Sequence, residues 1–437
     1  MLTSKLSRIR LALTVLMALT AFSPFAQPLS AAAQSTSHNV GVVCTTGTSP
    51  SPSFNLVAGG DYIQMSDMNT MYMWSYSPAG GTFQHPGPVL CVNEGDTVSI
   101  TLQNNIPNYM TKPVVTSMIF PGQENVKANG VLAQPDLANN SLTNTVVPGG
   151  SITYSFVASR PGTFIYESGT DQKMQVAMGL FGALIVHPTQ ADHVYDNTGS
   201  QFTHGEDFLA LLSEIDPYQH QAVASNKLFN TDKYQARYWL MNGRGFPDIV
   251  ADNFATWLPN QPYGGLALIH PFNNNPAAGV NYHPYPAVER FINVGTEDYP
   301  FHPHGQNGIL AGRDGYPMTD GGNDVSLDKY DFNIGPGQTW DVLFKWYDAE
   351  GYNPTTNPVP VAAPDLVNLT LGMFYSGSPY LGEKPTLPPG KTTLNECGEY
   401  YIISHNHALF QLDSFGQTMS GQITYLRVDP PLPNNCP

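Results

Sequence analysis

Apolar and polar residues alternate in short runs along most of this chain. Val98, Ile100 and Leu102 share one face of the run 97–102, and Ile152, Tyr154 and Phe156 alternate with Ser and Thr between 151 and 158. Both patterns have the two-residue period of a strand with one buried face. The run 180–187 is of strand length and almost wholly apolar, and the turn signals Gly87-Pro88 and Glu94-Gly95-Asp96 punctuate the region around it. A second stretch repeats this grammar: strand-like runs at 238–243 and 288–295, then 334–344, which parallels 147–154. The repetition predicts two copies of one β-sandwich. Residues 172–179 read as a short helix leading into the last strand of the first copy, with Met174 and Val176 as packing residues.

Composition agrees with an all-β chain. The 437 residues include 40 Gly and 38 Pro but only 12% charged side chains, which excludes long charged helices and coiled coils. A formal charge of −16 repels phosphate backbones and anionic lipid, so nucleic acid and membrane surfaces are poor partners. Residues 1–33 have the form of an export signal, with Lys5, Arg8 and Arg10 before the apolar run 11–22 and Ala31-Ala32-Ala33 at the expected cleavage site. The expected location is therefore secreted or periplasmic, and no later run is long enough for a membrane span. The domains predicted are 34–190 and 206–437, joined by a polar linker at 191–205. Residues 351–390 hold eight Pro and five Gly and form a long loop of the second domain. Asn368-Leu369-Thr370 within it matches a glycosylation acceptor.

Four cysteines suit an oxidising compartment, and the expected pairs, each within one domain, are Cys44 with Cys91 and Cys397 with Cys436. None has a second Cys or a His within four residues, which argues for disulfides over a Cys-ligated metal. Eight of the twelve histidines stand apart and are read as surface or core hydrogen-bonding residues. The exceptions are His302-Pro303-His304 and His405-Asn406-His407. Residues two apart in a strand point to the same face, so each triplet can offer two imidazoles to one ion. Imidazole alone does not choose among copper, zinc, iron and nickel. No Gly-x-Ser-x-Gly, phosphate loop, dinucleotide fingerprint or His-Glu-x-x-His occurs, so hydrolase and nucleotide chemistries have no support.

The chain resembles the multicopper oxidases. In the second unit the likeness is carried by 242–248 (Asn-Gly-Arg-Gly-Phe-Pro-Asp), 290–295, 299–305 (Tyr-Pro-Phe-His-Pro-His-Gly) and Arg313-Asp314-Gly315; in the first, by 87–90, 162–166 and 177–186. The resemblance implies two cupredoxin-like Greek-key β-sandwich domains. Against the family pattern, the three strong blue-copper ligand places hold Tyr299, Asn406 and Gln411. The first-domain segments that would ligate the trinuclear cluster read Ile119-Phe120-Pro121-Gly122 and Glu167-Ser168-Gly169. What survives of the cluster is His302, His304, His405 and His407.

The implied function is copper binding at these four residues, with zinc as the alternative, in an oxidoreductase-type protein that does not run full laccase chemistry. The competing reading is a binding or structural module without metal. The small-molecule or electron-donor partner is left open. The family's habits imply a homotrimer, in which Glu167 of the first domain could approach the quartet, although a carboxylate exposed on a turn needs no such role. Met65, Met68, Met71 and Met73 offer thioethers to Cu(I) but are more simply packing residues.

Overall fold

The computed structural model describes residues 38–305, 307–347, 400–429 and 431–432. The expected export signal, the loop 351–390 with Asn368, and Cys397 and Cys436 lie outside the described residues. No helix among the described residues is long and apolar enough to cross a membrane.

The first sandwich uses β1 (Thr45–Thr46), β2 (Ser53–Gln64), β3 (Thr70–Pro78), β4 (Leu90–Asn93), β5 (Thr97–Asn104), β6 (Ser151–Val157), β7 (Gly162–Glu167) and β8 (Phe181–His187). One sheet runs β3-β2-β5-β6, continued by a short hairpin at 127–132, and the other runs β1-β4-β8-β7. Parallel pairs (β2 with β5, β4 with β8) sit beside antiparallel ones, so the chain crosses between sheets. The predicted alternation is realised on β5, where Val98, Ile100 and Leu102 are fully buried against Tyr154, Leu184 and Val186. β8 is apolar throughout because both of its faces are covered. Leu184 and Val186 enter this core, while Phe181, Ala183 and Ile185 pack outward with Leu209, Leu211 and Ile292 of the second sandwich.

Residues 172–175 form the expected helical turn before β8. Gly179, between them, adopts φ +114°, and a Cβ there would lie 2.4 Å from the Trp74 carbonyl oxygen. Only glycine fits. Met65, Met71 and Met73 are buried with Ile63, Ile215, Tyr238 and Leu240, and Met68 is 83% exposed. Three of the four thioethers are therefore core side chains. A disulfide joins Cys44 to Cys91, as expected from the sequence.

The second sandwich uses β9 (Asp207–Ile215), β10 (Tyr238–Met241), β11 (Ala267–Ile269), β12 (Ala287–Asn293), β13 (Tyr299–Pro303), β14 (Gly308–Arg313), β15 (Phe332–Ile334), β16 (Thr339–Phe344), β17 (Tyr400–Asn406) and β18 (Ile423–Val428). Its sheets run β10-β9-β12-β16-β14 and β11-β18-β17-β13-β15. Phe291, Phe301, Phe332, Phe344, Ile402 and Tyr425 fill the space between them.

Where the two sandwiches meet, the apolar cluster encloses a polar knot. Arg290 holds Asp207 bidentately at 2.7 and 2.8 Å and donates to the Thr163 hydroxyl at 3.1 Å. Asp341 accepts from the Thr163 and Tyr195 hydroxyls at 2.5 and 2.6 Å. The segment read as a linker is packed here: Val194, Tyr195 and Phe202 are buried with Val288, Ala311 and Leu343. The fold is all-β and cupredoxin-like.

Candidate metal centre

β13 and β17 are antiparallel neighbours, and their register sets His302 directly opposite His405. The two-residue period then puts His304 and His407 on the same face, one toward each end of the pair. Backbone bonds from His304 N to the Ile403 oxygen (2.8 Å) and from His407 N to the Pro300 oxygen (2.6 Å) fix both. Ring centroids are 4.9 Å apart for His302 and His304, 5.7 Å for His302 and His405, 5.0 Å for His302 and His407, 4.9 Å for His304 and His405, and 5.5 Å for His405 and His407. All four sequence-predicted residues are therefore brought into one cluster.

Two rings are oriented by backbone carbonyls. His302 Nδ1 lies 2.8 Å from the Tyr330 oxygen and His405 Nδ1 lies 2.8 Å from the Asn406 oxygen. A carbonyl acceptor fixes the proton on Nδ1 and leaves the Nε2 lone pair for an ion, the usual outer-shell arrangement of a metal-binding imidazole. His405 Nε2 is instead 2.9 Å from His304 Nε2, and since the His405 proton is on Nδ1, His304 is the donor. Burial and the neighbouring imidazoles push the His405 conjugate acid down to about 4, and burial followed by His302 and His407 lowers that of His304. Both rings are held in the neutral form that binds metal. The donors are not yet closed around a point. Among the described residues, the single trio of His, Cys, Asp or Glu whose donor atoms all lie within 4.8 Å of one another is Cys44, Cys91 and His187. The quartet is wider, and an ion shared by its nitrogens requires the rings to rotate inward.

Tyr299 and Asn406, on the opposite face of the same strands, and Gln411, in the turn Leu409–Leu412, are the positions that resemble blue-copper places, and they carry a hydrogen-bonded polar network. Tyr299 is buried and its hydroxyl donates to Glu214, whose other oxygen accepts from Thr296 N at 2.7 Å and Thr296 Oγ1 at 2.8 Å. Gln411 donates to Glu297 at 2.7 Å, which also accepts from the Trp239 indole at 2.8 Å. The Asn406 amide donates to Gln422 at 2.8 Å and accepts from Ala408 N at 2.9 Å. With no thiolate and this network in place, the residues do not fit a blue copper. The buried Glu214 and Gln422 and the half-buried Glu297 were missed in the sequence because nothing local marks a carboxylate or amide that turns inward.

The first sandwich has a matching arrangement. The Gln175 side-chain oxygen accepts from Ser168 at 2.7 Å and Thr116 at 2.8 Å, and its amide donates to the Val115 carbonyl at 2.7 Å. Glu167 is the last residue of β7, paired with Phe181, and corrects the expectation of an exposed carboxylate on a turn. Burial raises it to about 7, and its side-chain partner is Gln172 at 3.1 Å; none of the four imidazoles is among its contacts.

Comparison with known proteins is consistent with this architecture. Residues 79–191 match the family model described as multicopper oxidase. L-ascorbate oxidase of Cucurbita maxima is 30% identical over 168 residues, which is 37% of this chain and 25% of that protein. Copper-containing nitrite reductase of Alcaligenes xylosoxydans is 32% identical over 143 residues, covering 32% of this chain and 38% of the relative. The chain thus matches well under half the length of these relatives. In fold it is similar to the blue copper oxidase of Nitrosomonas europaea (TM-score 0.55, 16% identity, 86% of each chain) and to the multicopper oxidase mgLAC (TM-score 0.56, 17% identity, 87% of this chain and 86% of that one). The family match falls in the first sandwich and the histidine quartet in the second. Residues 79–191 thus carry a multicopper oxidase domain, and the chain as a whole shares the cupredoxin-type fold of the solved structures.

Proposed function

We propose that this is an exported copper-binding protein whose second sandwich holds one copper ion through His302, His304, His405 and His407, with zinc as the alternative occupant. The observation that carries the reading is the β13–β17 register, which gathers two imidazole pairs from residues about a hundred positions apart on one face. Copper held there supplies one-electron redox chemistry. The chain's own contribution is to orient the rings through the Tyr330 and Asn406 carbonyls, to keep His304 and His405 neutral, and to leave His304 and His407 open to solvent. Oxidoreductase activity of this kind would pass single electrons from an external donor to an external one-electron acceptor through the same ion, since the blue-copper place is occupied by Tyr299, Asn406 and Gln411. The proposed layout is a signal over 1–33, domains at 34–190 and 206–437 with 191–205 between them, and assembly as a homotrimer.

A second reading, a cupredoxin-fold module without metal, is favoured by one observation, the direct hydrogen bond between His304 and His405. Copper loading decides between them. The expected result is about one copper per chain with an imidazole-type paramagnetic resonance signal, lost in the protein carrying all four His→Ala substitutions. Equal copper in both proteins excludes the quartet as the site.

A further inference from the structure

Cys91 lies on β4 and His187 ends β8, its parallel neighbour, with Cys91 paired to Ile185 and Asn93 to His187. Cys91 and His187 therefore project from the same face, two residues apart in register. Cys44, just before β1, approaches from the other edge of β4, its Cα 5.4 Å from that of Cys91. The two sulfurs and a ring nitrogen of His187 all lie within 4.8 Å of one another. Sequence spacing hides this trio, because the histidine arrives from a strand far along the chain.

Two features make the cluster more than a packed disulfide. The segment that carries Cys44 is held by contacts that do not depend on the bond. Thr45 N donates to the Val89 oxygen at 2.7 Å, Val42 N to the Asp207 oxygen at 2.8 Å, and Asn253 to the Gly41 oxygen at 3.0 Å. These bonds tie the Cys44 segment beside β4 independently of the disulfide. In addition, Cys44 is exposed, the His187 ring makes no hydrogen bond to any described residue, and a cavity of about 470 Å³ lined by His187, Asn93, His193 and Asp207 opens beside it. A reductant has access, and a fourth ligand has room.

We propose that Cys44, Cys91 and His187, once the disulfide is reduced, form a three-donor site for a thiophilic d10 ion, Cu(I) or Zn(II). The reduction consumes one dithiol, which becomes a disulfide as Cys44 and Cys91 become thiols. Metal binding then releases the two thiol protons to water. Two bonds of about 2.3 Å at the tetrahedral angle separate the sulfurs by about 3.8 Å, a spacing that side-chain rotation reaches from these backbone positions. Two thiolates, one imidazole and an open fourth position is a known zinc arrangement.

The test uses the full-length chain with Cys397→Ser and Cys436→Ser, so that a single Cys pair remains. Oxidised and phosphine-reduced forms are titrated anaerobically with Co(II) as a spectroscopic probe and then with Zn(II). The expected result is one extra equivalent in the reduced form, with a thiolate-to-cobalt charge-transfer band. Binding should persist when the four quartet histidines are replaced by Ala, weaken roughly tenfold or more with His187→Ala, and vanish with Cys44→Ser/Cys91→Ser. Failure of the reduced protein to take up a thiolate-bound ion overturns the proposal. So does equal affinity in the His187→Ala protein, or loss of the β-sheet circular dichroism on reduction alone.

Discussion

Glu289 stands in the middle of β12, paired with Phe208 and Val342, and its side chain shares the core-facing side of the strand with Phe291. One carboxylate oxygen has no hydrogen-bond partner, and burial raises the group to about 8. In the unfolded chain an ordinary Glu ionises near 4.3. The folded state therefore holds a proton that the unfolded state has released, and stability falls as pH rises from the unfolded value through about 8. The limiting slope for one proton is about 1.4 kcal/mol per pH unit. Glu289→Gln should flatten this loss, giving a higher Tm than the parent at pH 8 and little difference at pH 4, as measured by thermal melts across that range. A Glu289→Gln profile parallel to the parent's would show that the carboxyl is not the titrating group. Tyr299 makes the opposite case. Its hydroxyl is a donor to buried Glu214, so Tyr299→Phe should cost about 1–3 kcal/mol in denaturant unfolding while leaving copper content unchanged.

At the level of strands and turns, much was legible because it is written locally. The alternation of β5 and β6, the apolar run of β8 and the two His-x-His triplets each follow from a single period read within one element. What was not legible depends on partners distant in sequence. The register of β13 on β17 decides that the triplets meet, and no residue within either strand states it. The Glu214–Tyr299 and Glu297–Gln411 contacts join residues from separate strands and turns, and a carboxylate read alone is expected on the surface. The turn before β8 makes a sharper claim. Gly179→Ala must fit a side chain at φ +114° against the Trp74 carbonyl, and should lower the Tm by several degrees without altering the metal content of the second sandwich.

For the molecule as a whole, the contact between sandwiches combines apolar strand faces with a buried charge cluster. Arg290 is the sole cation hydrogen-bonded to Asp207 among the described residues, and its guanidinium also lies 3.6 Å from Asp341. Arg290→Met leaves the buried Asp341 and the half-buried Asp207 without their cation. The expected cost is about 3–5 kcal/mol, read as a lowered denaturation midpoint, and Arg290→Met/Asp207→Leu/Asp341→Leu should recover part of it. If the single substitution were neutral, the charges would not be coupled. Val194, Tyr195 and Phe202 pack into this joint. A stretch that could have served as a hinge is instead buried against the second sandwich, with the Tyr195 hydroxyl bonded to Asp341. His304 and His407 are exposed, so if the proposed ion binds there it arrives directly from bulk water, and its rate of arrival should rise or fall with ionic strength through the protein's negative field.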